Sequence, residues 1–123
     1  MFFPVVCHYE DGGYWSEFPD LPGCFSQGET EQEVIKNSKE SLSGYLITLL
    51  ESGEDIPVAS SISTVKLEGA GFVSLVECEL TGETRYVRKN ITLPEWMNVK
   101  AEKMGINFSQ LLQETLQVKF GMV

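Results

Sequence analysis

Residues Tyr86–Leu116, YVRKNITLPEWMNVKAEKMGINFSQLLQETL, decide how the chain is organised. The stretch opens on an alternating run, with Val87, Ile91 and Leu93 on one side and Arg88, Asn90 and Thr92 on the other. Period two, apolar in and polar out, predicts a strand. Pro94 has no N–H, so it stops the ladder and suits the first turn of a helix. That helix is predicted from about Pro94 to Met104, apolar at Trp96, Met97, Val99, Ala101 and Met104 and polar at Glu102 and Lys103. Gly105 is a left-handed stop. Asn107 caps a second helix, in which Phe108, Leu111, Leu112, Thr115 and Leu116 fall on one stripe.

One strand and two short helices cannot enclose a core, and a lone strand has two unpaired edges. A second copy repairs both defects: two strands pair antiparallel and four helices pack beneath them. Val87, Ile91, Leu93, Trp96, Val99, Phe108, Leu111, Leu112 and Leu116 would then form a shared core. The free face of the ribbon would carry Arg88, Asn90 and Thr92 from each chain. A two-stranded ribbon fits the major groove, where Arg reads guanine and Asn reads adenine. At the start of the second helix, Asn107, Phe108 and Ser109 offer free amides to a phosphate. Lys89 departs from the pattern by lying on the inward side; its long stem lets it snorkel to the ribbon edge.

Strand, Pro, helix, Gly and capped helix, in that order, resemble the ribbon-helix-helix repressors over the last third of the chain. The resemblance implies a DNA-binding homodimer.

The balance of the chain has a different character. Its 123 residues, 42% hydrophobic and 22% charged, suit a folded α+β protein of one or two small domains. We expect one domain over 1–80 and a second over 85–123, joined by Thr81-Gly82-Glu83-Thr84. Net charge is −9, unevenly spread. Residues 1–84 hold three basic residues against 15 acidic ones, net −12; residues 85–123 hold six basic against three acidic, net +3. An acidic body repels nucleic acid and attracts a basic protein, while the tail tolerates phosphate.

Cys7, Cys24 and Cys78 are odd in number, far apart and at no metal spacing, and His8 has no second ligand type nearby. They read as reduced thiols of a cytoplasmic protein, with no cofactor and no metal. Met1 is followed by a short apolar run without a positive flank, so no signal peptide is expected, and no apolar stretch reaches membrane-spanning length.

From the start, Met1–Tyr9 reads as a strand, Glu10-Asp11-Gly12-Gly13 as a turn and Tyr14–Phe18 as the returning strand. Pro19–Gly23 is a rigid loop, and Cys24–Gly28 a brief third strand. Thr30 and Glu33 form a capping box, and Glu29, Glu31 and Glu33 load the helix start with charge that its dipole favours. The helix runs through Val34, Ser38, Leu42, Tyr45, Leu46, Leu49 and Leu50 to Ser52-Gly53. After a loop held open by Pro57, Ile62–Leu67 and Phe72–Leu80 read as two strands. The front order is βββαβ with one ambiguous extra strand.

The phrase Phe18-Pro19-Asp20-Leu21-Pro22-Gly23-Cys24, then Gln27-Gly28 and an acidic helix start running to Tyr45-Leu46, looks like the HicB antitoxin family. Many HicB proteins end in a ribbon-helix-helix module, so the resemblance spans nearly the whole chain. It implies a partial RNase H-like front domain that neutralises a HicA-like, mRNA-cleaving toxin. It also implies a tail that represses the antitoxin's own operon. Glu17, Asp20, Glu29, Glu31 and Glu33 are the candidate toxin-facing residues. Catalysis is not expected: Asp11 sits in a Gly turn and Asp20 in a Pro loop, places such residues occupy for turn reasons. A nuclease on so acidic a domain would also repel its substrate. The rival reading is a free-standing ribbon-helix-helix repressor whose front domain senses a ligand.

Overall fold

The computed structural model describes residues 1–80 and 85–122. The predicted linker Thr81–Thr84 lies outside the described residues. The chain divides into two units, Met1–Arg85 and Tyr86–Val123.

The first unit is built on β1 (Phe2–Glu10), β2 (Gly13–Glu17), β3 (Phe25–Gly28), α1 (Glu31–Glu51) and β4 (Gly71–Glu77). The strands form one antiparallel sheet in the order β3-β2-β1-β4. The β1–β2 hairpin turns on Asp11 and Gly12, both with positive φ (51° and 78°). That pair of dihedrals is the type I′ turn that Asp-Gly favours, and it fixes Glu10 opposite Gly13 and hence His8 opposite Trp15. Pro4 sits in a central strand without cost. Tyr9 N–H bonds to Ala70 and Cys78 N–H to Met1, so odd residues of β1 face β4. The N–H that Pro4 lacks would point toward β2, whose ladder begins only at Val6.

One face of the sheet, through Phe3, Val5, Cys7 and Val76, packs on Val34, Leu42 and Leu46 of α1. Helix α1 starts as predicted: the Thr30 side chain accepts the Glu33 N–H at 3.1 Å. Buried Ser38 donates to the Val34 carbonyl and shares a 2.7 Å hydrogen bond with Ser16 of β2, so neither hydroxyl is orphaned. Gly28 is demanded by packing. A Cβ there would overlap the Val34 backbone at the first turn of α1.

The motif between β2 and β3 is structural. Phe18, Leu21 and Cys24 are buried in the core. The segment folds back on itself through Leu21 N–H to Phe18 and Cys24 N–H to Leu21, both 3.0 Å, while Tyr45 donates to the Pro22 carbonyl at 2.9 Å.

The extra strand expected at Ile62–Leu67 is not there. Ile62–Thr64 is a short 3-10 turn capped by Ser61, within a strap that crosses from α1 to β4. Ser61 Oγ takes the Ser63 N–H and Thr64 Oγ1 donates back to Ser61. Local hydroxyl bonds of this kind compete with a ladder, and here they prevail.

The second unit contains α2 (Glu95–Lys103) and α3 (Phe108–Lys119). Pro94 precedes the first turn of α2, Gly105 (φ 68°) follows its end, and the Asn107 side chain accepts the Gln110 N–H at 3.1 Å. The strand predicted over Val87–Leu93 is not formed in the single chain, where residues 85–94 make no ladder. A ladder needs a second strand, and among its described residues this unit contains none.

Candidate functional site

The tail unit has polar groups and no core of its own. Among its described residues Ala101 alone is buried. Of the nine side chains assigned to a shared core, Val87, Ile91, Leu93, Trp96, Leu111 and Leu112 are exposed, Val87 by 82% and Trp96 by 66%, and Phe108 is half-buried. Val99, Leu116 and Phe120 are exposed as well. A monomeric surface seldom leaves so many large apolar side chains of one short unit open to water. Arg88, Asn90 and Thr92 are equally exposed. In one chain both sides of the 87–93 run are open, since only a covering partner would distinguish them.

An open groove of about 570 Å³ runs between the extended segment and the helix starts, lined in part by Lys89, Thr92, Asn98, Phe108 and Ser109. It brings Thr92 together with Phe108 and Ser109; Arg88, Asn90 and Asn107 do not line it. The Asn107 side chain is already committed to its own helix. Phe108 and Ser109 belong to the first turn of α3, where N–H groups lack intrahelical acceptors.

The front unit places the expected toxin-facing acids in two locations. Glu17 and Asp20 lie near the Phe25 end of the β2–β3 ladder, while Glu29, Glu31 and Glu33 follow its Gly28 end. Glu17 accepts from His8 Nε2 at 3.0 Å, and His8 stacks on Trp15 with ring centroids 4.1 Å apart. Asp20 accepts from both the Ser60 N–H (2.9 Å) and hydroxyl (2.6 Å), tying the strap to the motif loop. Glu31 accepts a long 3.4 Å bond from Tyr14, and Glu29 and Glu33 are exposed. Sequence reasoning missed the His8–Trp15–Glu17 group. The Asp-Gly turn was its signal, because a two-residue loop sets the cross-strand partners.

Asp11, Glu17 and Asp20 thus each have a structural task, and among the described residues no group of three His, Cys, Asp or Glu is placed to hold a metal. Burial pushes the Cys7 and Cys24 thiols up to about 11 and Cys78 upward too, so at neutral pH they are protonated, weak nucleophiles. Among the described residues no helix is long and apolar enough to cross a membrane.

The family model described as "HicB_like antitoxin of bacterial toxin-antitoxin system" matches residues 3–115. The chain belongs to this family. A HicB-like identity covers both units, not the front alone. A 14.9 kDa protein from the rep–hol intergenic region of Haemophilus phage HP1 is 35% identical over 98 residues, covering 76% of this chain and 74% of that one. The crystal structure of the Burkholderia pseudomallei antitoxin HicB is similar at 30% identity and a TM-score of 0.60, covering 94% of this chain and 96% of the other. A chain of a toxin-antitoxin complex from Streptococcus pneumoniae shares the fold at 24% identity, with a TM-score of 0.61 and coverage of 97% and 98%. Antitoxins of this family are regulatory rather than catalytic.

Proposed function

We propose that this HicB-like chain neutralises a small basic, HicA-like RNA-cleaving toxin through its acidic front domain (1–80). Its tail (85–123) pairs with a second copy to repress its own operon. The observation that carries the DNA-binding half is the uncovered apolar tail beside an exposed Arg88-Asn90-Thr92 row. Pairing of two Val87–Leu93 segments would bury the first and display the second as a ribbon in the major groove. Phe108 and Ser109 line one groove with Thr92, which supports their amides as the holders of a flanking phosphate. For the toxin half, the family and the net −12 of residues 1–84 support a basic partner. The βββαβ order supports reading the front unit as a pared-down RNase H-like scaffold kept for binding.

Arg88→Ala and Asn90→Ala are each expected to weaken specific operator binding by about 1–3 kcal/mol, with the dimer intact. Mobility shifts on specific and scrambled DNA, with sedimentation in parallel, check this. Loss of the dimer in either variant would place these residues in the core and reverse the phase of the ribbon.

Co-expression with the product of an adjacent small basic gene tests the toxin half. A co-eluting complex and restored growth are expected. With neither, a free-standing repressor whose front domain senses a ligand becomes the better reading.

A further inference from the structure

Strand β4 ends the sheet and leaves one edge open. By the alternation that sends the Ala70 carbonyl and the Cys78 N–H toward β1, even residues of β4 bond inward. The backbone groups of Gly71, Val73, Leu75 and Glu77 therefore face outward. Among the described residues the only bond on that edge is a long 3.4 Å contact from the Ser74 hydroxyl to the Leu75 carbonyl. Exposed strand edges are normally blunted by shortness, lysine, proline or a bulge. The opposite edge strand, β3, is four residues long. By contrast β4 is seven residues, Gly-Phe-Val-Ser-Leu-Val-Glu, with no lysine or proline, and Leu75 is 45% exposed.

We propose that this edge pairs antiparallel with the β4 edge of a second copy, about a two-fold axis at Ser74. The segment is self-complementary in that register. Val73 meets the second copy's Leu75, Phe72 meets its Val76, and Gly71 meets its Glu77, so within the strand no carboxylate faces a carboxylate. Every outward N–H and C=O finds a partner, inner faces stay inner, and the two Ser74 side chains meet in the close, non-hydrogen-bonded pair at the axis. A seven-residue edge is small beside the ~1,200–2,000 Å² that free-standing complexes bury. The occupant is therefore a copy already tethered, and in this respect the proposal rests on the tail dimer of the proposed function. A tether raises the local concentration to about the millimolar range, enough to favour a weak second contact.

Full-length chain carrying Ser74→Cys is oxidised mildly and compared with Ser52→Cys, an exposed control at the end of α1. Disulfide-linked dimer is expected to form about tenfold faster from Ser74→Cys, given a prepaired geometry at raised effective concentration. Adding Leu75→Pro should abolish the difference while preserving the β1–β4 ladder, because the Leu75 N–H points away from β1. Leu75→Lys, which leaves the backbone unchanged, should reduce it. Equal linking rates in a chain that sediments as a dimer would overturn the pairing and leave the tail dimer standing. A chain that sediments as a monomer would overturn the tail dimer and, with it, the tethered pairing. Exchange protection of the Val73 and Leu75 amides only after toxin is added would assign the edge to the toxin and overturn the pairing.

Discussion

Ile91→Asp is expected to abolish the dimer and operator binding together. In the single chain Ile91 is more than half exposed, so a carboxylate there would cost a monomer almost nothing. In a paired ribbon the same side chain lies in the shared core, while Lys89, the cation on that side of the strand, keeps its charge at the ribbon edge. Burying an unpaired charge in this way costs on the order of 3–5 kcal/mol for each copy. Two copies weaken association by well over a thousandfold at ~1.4 kcal/mol per decade. Sedimentation equilibrium reads the first effect and a mobility shift the second. The front unit, with a core of its own, should melt as before. An Ile91→Asp chain that stays dimeric at wild-type concentrations would refute the shared core and with it the ribbon.

Gly28→Val is the mirror experiment, expected to disable the front unit and spare the tail. Any Cβ at Gly28 collides with backbone at Val34 and Glu33, and backbone at a capped helix start cannot step aside as a side-chain tip would. Relief requires β3 to leave α1, which loosens the helix that carries Val34, Leu42 and Leu46 into the core. A loss of about 3 kcal/mol or more is expected, a large part of the ~5–15 kcal/mol that holds a small domain together. Growth rescue against the toxin should fail and the main thermal transition should fall. Operator binding should persist, because residues 86–123 form a separate unit. Unimpaired rescue would show that the β3–α1 contact is dispensable to the neutralising surface. Loss of DNA binding instead would show that the two units depend on each other.

These two substitutions also mark what could be read in advance. The Thr30–Glu33 capping box, the Asn107 cap, the Pro94 start and the Gly105 stop were legible because each is a local rule, satisfied within one turn of the chain. The Asp-Gly turn belongs with them. Ile62–Leu67 misled because it has β-prone residues, yet Ser61, Ser63 and Thr64 bond to one another and draw the segment into a turn. Asp20, expected on a partner surface, also holds Ser60, forty residues later in the chain. No local pattern reports a contact at that separation.

The amino-acid sequence by itself determined the helices and the front strands other than the one expected at Ile62–Leu67, the division into an acidic body and a basic tail, and the tail's lack of a core, since periodicity, capping and charge act over a few neighbouring residues. Tertiary structure decided which strands are neighbours and which edge stays open. It decided that Gly28 admits the start of α1, and that Glu17 and Asp20 serve His8 and Ser60. Those outcomes depend on which surfaces meet when the sheet closes on its helix, and such meetings join residues that no short-range rule connects.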